Sequence, residues 1–521
     1  MLDTTLRDGA QAANVSFLPK DKIRVALALD SLGISYIEGG WPGSNPKDKA
    51  FFEEIKLHKL RNSRLCAFGS TKHKNTAVED DPSLKSILES GAGTAVLFGK
   101  SWLLHVNEVL GITPHENLNL IRDSIEYLKS GGLEVIFDAE HFYKGYEDNA
   151  DYALSVLDAA REAGARTLVL CDTTGGTLPQ RIYSVTKAVV ESFGDTVGSH
   201  MHNDIGCAVA NTLMAVEAGA RHVQCTVNGI GERTGNADLV QVMPSLELLM
   251  HKETIGTEKL KLLREVSALV YDLVNMQHDP YQPYVGANAF AHKGGIHADA
   301  VRKNPAAYEH INPELVGNTR SVIVSELSGA GNMLMLAEEH GIRIDKGDPR
   351  LKKALQKVKE MEQEGYSFDL APASAMLVLL GELGLYKEFI NLDYWKVLSE
   401  NEVTMAVVSG EGAAEVSEGE GPVNAIDNAL RKEFVRKYPE LEEVQLTDYK
   451  VVLPGSVKNT ASVVRVVVEF SSNGKRWRST GVSKNIIKAS VKGLLDGLNY
   501  YLWMKHREKG QVRIRGVGRQ A

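Results

Sequence analysis

The chain has 521 residues, 43% of them hydrophobic and 24% charged, with a formal net charge of −8. That length exceeds the ~250–300 residues at which a single core stops growing, so two or more domains with sizeable cores are expected. Acids and bases are well mixed, which leaves no nucleic-acid footprint; the one basic cluster, His506 to Arg519, reads as a solvated tail. No apolar run reaches the ~18 residues of a spanning helix, and Met1-Leu2-Asp3-Thr4-Thr5 is neither a basic nor an apolar leader, so a cytoplasmic protein is expected. Cys66, Cys171, Cys207 and Cys225 form no CxxC pair, which argues against a disulfide framework or a structural zinc site and for reduced packing residues.

In chain order, the first half alternates short β-rich runs with helical stretches. Strands are expected at Ile34–Glu38, Leu65–Gly69, Thr94–Phe98, Leu133–Asp138, Thr167–Cys171, Val197–His200 and His222–Val227. Helical patterns lie between them, among them Lys20–Leu32, Asn117–Lys129, Asp148–Ala163 and Gln180–Phe193, several ending near Gly33, Gly131 or Gly164. Repeated strand and helix implies a parallel sheet. A further strand leading into Asp3 completes eight βα units within about 250 residues, the count and size of a (β/α)8 TIM barrel, and no GxGxxG supports an open dinucleotide fold.

A barrel places its chemistry in the loops that follow the strands. Those loops are polar here: Asp3-Thr4-Thr5-Leu6-Arg7-Asp8-Gly9, Asp138-Ala139-Glu140-His141, Asp172-Thr173-Thr174-Gly175-Gly176, His200-Met201-His202-Asn203-Asp204, and Asn228 through Ala237. In a strand, residues i and i+2 share a face, so His200 and His202 project together as two imidazole ligands for a divalent metal. Five such loops converging on one rim point to a metal-dependent active site.

Three motifs carry a resemblance. Asp3-Thr4-Thr5-Leu6-Arg7-Asp8-Gly9-Ala10-Gln11, His200-Met201-His202-Asn203-Asp204 and Gly231-Glu232-Arg233-Thr234-Gly235-Asn236-Ala237 resemble the signatures of the 2-isopropylmalate, homocitrate and citramalate synthases, the DRE-TIM metallolyases. Within that family, Glu38 to Asp48 looks most like the citramalate branch, which condenses acetyl-CoA with pyruvate. The resemblance implies that Asp8, His200, His202 and Asn236 hold a divalent metal, Mg2+ or Mn2+ ahead of Zn2+, with room for two oxygens of a 2-keto acid. It implies Arg7 as the charge that stabilises an enolate or alkoxide, against a plain ion pair with Asp3 or Glu140 as the alternative. Thr173 matches the threonine that binds the keto-acid carboxylate, although a turn residue explains it nearly as well. Glu140 and His292 match positions implicated in acid–base chemistry; His297 competes with His292, and Tyr308 either caps the same pocket or packs. The family also usually carries several β-rich residues before Asp-Thr-Thr, where this chain has Met1 and Leu2.

From Glu253 to Glu400 the pattern is mostly helical, as in Arg350–Glu364 and Ala373–Gly384, and reads as linker subdomains after a catalytic barrel over 1–252. From Asn401 to Ala521 an α+β pattern takes over. Strands at Val403–Ser409 and Glu415–Glu420 precede a helix at Pro422–Lys437; strands at Val444–Leu453, Ala461–Ser471 and Arg476–Val482 precede a helix at Lys484–Met504. These form a weak β-then-helix repeat. The resemblance implies an effector domain here, binding isoleucine in the citramalate branch, with a ligand-free dimerisation module as the alternative, and a homodimer in which the region around His292 reaches over a barrel. Two rivals remain: a 2-isopropylmalate synthase taking 2-oxoisovalerate, and an acyl-CoA lyase of the same superfamily. The lyase uses a cysteine in the loop after strand eight, and Gly229 to Gly235 contains none.

Overall fold

A computed structural model describes residues 1–508, apart from 294, 323, 326, 327, 402, 411, 413, 455–461 and 474. The basic tail expected from His506 therefore lies outside the described residues from 509 onward. Two compact units emerge: Met1–Phe290 with Ile311–Thr319, and Ala291–His310 with Arg320–Ala521.

The first unit is the expected barrel. β1 (Leu2–Asp3), β2 (Tyr36–Glu38), β3 (Arg64–Ser70), β4 (Thr94–Lys100), β5 (Glu134–Glu140), β6 (Thr167–Asp172), β7 (Val197–Met201) and β8 (His222–Cys225) pair in sequence order and close into one parallel barrel. Closure rests on the shortest strand: Leu2 pairs with Tyr36 and Gln224, and Asp3 with Ile37 and Cys225, so two residues join β2 to β8. Strand alternation sorts the side chains. Leu2, Cys66, Phe68, Val96, Ile136, Val169 and Cys171 fill the interior, while Ala67, Ala95, Leu97, Phe137, Leu168 and Leu170 face the surrounding helices and join the large outer core. Cys66, Cys171 and Cys225 are buried and all four cysteines are free thiols.

The helices begin where the sequence supplies a residue that needs no amide partner. Pro19, Pro46, Pro82, Pro114 and Pro179 each occupy a first helical position, where the missing N–H is no loss. Thr113 and Glu116 form a reciprocal capping box at the start of Pro114–Ser130, and Gly33, at φ +95°, ends Pro19–Leu32 in the left-handed region.

In the second unit, β9 (Ala291–His292) pairs in parallel with β10 (Ser321–Val322). Helices Ala330–Glu339, Pro349–Gln363 and Pro372–Leu383 follow. Two antiparallel sheets come next: β11 (Tyr394–Glu400), β12 (Val403–Ser409) and β13 (Glu415–Gly419), closed by helix Pro422–Phe434, then β14 (Gln445–Val452), β15 (Val464–Ser472) and β16 (Lys475–Ser483), closed by helix Ile486–Glu508. The repeat is therefore three strands and a helix, twice. Its first strand, β11, falls in the stretch that the sequence reads as helical; Trp395 and Val397 face the core while Lys396 and Leu398 alternate outward, a period of two too short to stand out beside the helices before it. Among the described residues, no helix is long and apolar enough to cross a membrane.

Candidate metal centre at the barrel mouth

β7 delivers the central pair. His200 is its inward-facing residue, Met201 turns outward into the helix-facing core, and His202 projects with His200, bridging to Asn236 as the strand ends. Asp8 arrives from the loop after β1, a tight turn in which the amides of Arg7, Asp8 and Gly9 all donate to the Thr4 carbonyl at 3.1, 2.8 and 3.1 Å. Asn236 arrives from the loop after β8, which is laced to β7 by Asn203 N to Gly235 O and Ala237 N to Met201 O, both 2.9 Å. Two glycines permit that approach. Gly235 stands at φ +96°, and a Cβ on Gly231 would lie 1.8 Å from Asn236 Oδ1.

The result is a buried convergence of donors. His200 Nε2 and His202 Nε2 lie 3.2 Å apart, and 3.2 and 3.8 Å from Asp8 Oδ2. Asn236 Nδ2 is 3.0 Å from the same oxygen and 3.3 Å from His200 Nε2. Asp8, His200 and His202 are all buried, with ligand atoms within 4.8 Å of one another. Asp8 Oδ1, Asn236 Oδ1 and His202 Nδ1 are buried without partners among the described residues. Stranded lone pairs around facing imidazole nitrogens fit a divalent cation, and an amide turned about its end would bring Asn236 Oδ1 to it.

Electrostatics differ sharply across the cluster. Burial alone would raise Asp8, but the Arg7 guanidinium and both imidazoles outweigh it and hold the carboxyl well below its usual range. His202 is lowered to about 3, by burial first and then by His200. His200 is raised: burial opposes this, and its hydrogen bond to and charge attraction by Asp8 prevail. Further in, burial pushes Glu38 up to about 7 and Asp138 to about 6.

Arg7 is clamped beside this group. Its Nε donates to Glu38 Oε2 at 2.7 Å, its Nη1 lies 3.3 Å from Asp8 Oδ2, and its guanidinium sits 3.9 Å above the Phe68 ring. The ion-pair partners expected for it, Asp3 and Glu140, are engaged elsewhere: Asp3 accepts from Thr5, and Glu140 pairs with Lys100. Thr173 Oγ1 accepts the amide of His141 at 2.9 Å, which places it at the same rim. Trp41, Phe68 and Phe98 form an aromatic wall, with Phe68 and Phe98 stacked at 5.3 Å and Trp41 edge-on to both.

His292 belongs to the second unit. Its Nε2 lies 3.2 Å from Glu309 Oε1, and Arg320 clamps the same carboxylate from Nε at 2.6 Å. His297 is exposed and packs at 4.5 Å against Tyr308. Sequence reasoning gave no role to Glu38, Asp138, Gln224 or Lys100. The available signal was a polar residue inside an otherwise apolar strand, which alone does not separate a functional group from a satisfied core residue.

Residues 1–270 match the HMGL-like family, 284–366 the homocitrate synthase post-HMGL domain-like family and 369–502 the LeuA allosteric (dimerisation) domain. An (R)-citramalate synthase of Sulfolobus acidocaldarius is 56% identical over 513 residues, covering 98% of each chain. The chain belongs to the HMGL-like family, in its citramalate and 2-isopropylmalate synthase branch. Another family member, an (R)-citramalate synthase of Aquifex aeolicus, is 49% identical over 522 residues, again 98% of each chain. A 2-isopropylmalate synthase of Methanocaldococcus jannaschii is 31% identical over 512 residues, 96% of this chain and 94% of that one. As a member, the chain is a condensing enzyme of the acyltransferase class, from a metal-dependent family.

Proposed function

We propose that the chain condenses acetyl-CoA with pyruvate and, with water cleaving the thioester, gives (R)-citramalate and CoA. The observation that carries this reading is the convergence of Asp8, His200, His202 and Asn236 beside a clamped Arg7 on an HMGL-like barrel, in a chain 56% identical to an (R)-citramalate synthase. The four residues would hold Mg2+ or Mn2+, with Zn2+ as the alternative; bound there, the metal supplies Lewis acidity toward the keto acid's oxygens. Thr173 receives the keto-acid carboxylate at the rim. Arg7, held by Glu38 and stacked on Phe68, keeps its charge fixed where the acetyl enolate and the new alkoxide carry theirs. Glu140 and His292 are the acid–base candidates for removal of the methyl proton, with His297 as the competing imidazole. Trp41, Phe68 and Phe98 pack as an apolar wall beside Arg7, which stacks on Phe68, and an apolar wall suits the methyl end of pyruvate.

The enzyme operates in this reading as a cytoplasmic homodimer, associated through its LeuA-type region, and isoleucine is its effector. CoA-thiol release from acetyl-CoA with pyruvate, 2-oxoisovalerate or 2-oxoglutarate tests the function. Release with pyruvate, abolished by chelation and restored by Mg2+ or Mn2+, is expected. A preference for 2-oxoisovalerate would make the chain a 2-isopropylmalate synthase, and no release with any acid would end the synthase reading.

A further inference from the structure

One ligand of the proposed centre is anchored from behind and the other is not. On the inner face of the barrel Gln224 of β8 pairs in register with His200 of β7. Its Oε1 lies 2.8 Å from His200 Nδ1, and its Nε2 lies 2.8 Å from Asp138 Oδ1 on β5. All three side chains are buried, Gln224 to 1% exposure. His202 Nδ1, by contrast, has no partner among the described residues.

We propose that Gln224 is a positioning residue that fixes the tautomer of His200, and that Asp138 sets the direction of Gln224. This rests on the assignment of Asp8, His200, His202 and Asn236 as metal ligands. The donor inventory gives the chain only one polarity. A carboxylate accepts and cannot donate, so the amide NH2 of Gln224 must face Asp138. Its carbonyl then faces His200, whose Nδ1 must carry the proton. Nε2, which points at Asp8 and His202, is then the nitrogen that gives up any proton it holds and ligates when a cation binds. An imidazole whose far nitrogen is bonded in this way is oriented and made more basic as a ligand, and loss of such a partner typically weakens metal affinity about 10–100-fold. A neutral imidazole is otherwise free to place its proton on Nε2, where it cannot ligate.

The test measures Mn2+ affinity by calorimetry and, in the Mg2+-loaded protein, the 1H and 15N shifts of the His200 Nδ1–H group, with thermal unfolding as the fold control. Q224L is expected to weaken Mn2+ binding about 10–100-fold and to lose the hydrogen-bonded Nδ1–H signal of His200. D138N, whose amide can face either way, shifts both readouts in the same direction. The double variant Q224E/D138N reverses the roles: the carboxylate introduced at 224 accepts from His200 Nδ1–H and from the amide introduced at 138, so affinity and the Nδ1–H signal recover. A purely structural role gives no reason for that recovery. D8N removes a ligand directly and is expected to abolish binding. If D8N abolishes binding while folded Q224L binds as wild type, the relay is wrong and the ligand set stands; if D8N binds as wild type, the ligand set falls and the relay with it. Should Q224L not fold, D138N and Q224E/D138N decide: binding unaffected in D138N, or no recovery in the double variant, overturns the proposal.

Discussion

His200, near the end of β7, and His202, just beyond it, stand two residues apart and yet are shifted in opposite directions. Asp8 draws His200 upward, whereas burial and the neighbouring imidazole push His202 down to about 3. Metal ligation requires both rings to be neutral, so proton competition above pH 5 comes from His200 alone. As pH falls through the raised value of His200, Mn2+ affinity is expected to drop about tenfold per pH unit, the slope of one displaced proton. Calorimetric titrations from pH 5.5 to 7.5 measure this directly; a slope of two would show that both imidazoles carry protons and that the cluster is wrongly described. The i, i+2 spacing made this pair legible in the sequence, because a strand imposes it locally. Arg7's partner was not legible in the same way. Glu38 lies 31 residues away and meets Arg7 only because β1 and β2 are neighbours in the barrel, while Asp3 and Glu140 offer carboxylates at strand ends in the sequence just as well.

Elements position these residues through backbone approach as much as through side chains. The loop after β8 can bring Asn236 to the cluster only because position 231 lacks a Cβ, which would lie 1.8 Å from the Asn236 amide oxygen. G231A is therefore expected to displace Asn236 and weaken Mn2+ binding by roughly tenfold or more. Unchanged affinity would mean that Asn236 is not a ligand. In helix Ile486–Glu508 a different group is under strain. Asp496 accepts from Ser374 Oγ at 2.7 Å, and burial raises it to about 6. The folded state thus holds its proton more tightly than the unfolded state, so stability declines as pH rises from about 4 to 6 and stays reduced above. D496N keeps an acceptor for Ser374 and cannot ionise. It should melt above the wild type at pH 8, and the two should converge near pH 4; a variant less stable at pH 8 would contradict this. The barrel was readable at this scale because eight alternations of β-rich run and helix, with prolines at helix starts, repeat one local rule. β1 and β11 were harder, the first because two residues have no periodicity, the second because its alternation follows directly on long helical patterns.

At the scale of the whole molecule, each compact unit has its own apolar core. Every buried residue of the barrel's cluster lies at or before Val316, and every one in the second unit's cluster lies at or after Val324. Substitutions that disturb the second core should therefore leave the metal centre chemically intact. Gly481, on β16, gives the sharpest case. A Cβ there would lie 2.1 Å from Ala489 O and 2.7 Å from Gly493 N, both in the helix that closes the second sheet. G481V must lift Ile486–Glu508 away from β15 and β16, where Val466, Val468, Phe470 and Leu494 form the packed layer. Backbone atoms cannot yield as a flexible side chain does, so roughly 1–3 kcal/mol or more of destabilisation is expected, as for an overpacked core. If the LeuA-type region carries isoleucine control, G481V should lose inhibition by isoleucine and lose dimer on light scattering. Mn2+ affinity should stay at the wild-type value. A variant that keeps its isoleucine response despite the lifted helix would move the effector site out of this second sheet, and one that loses Mn2+ binding would show that the two cores are not energetically separate.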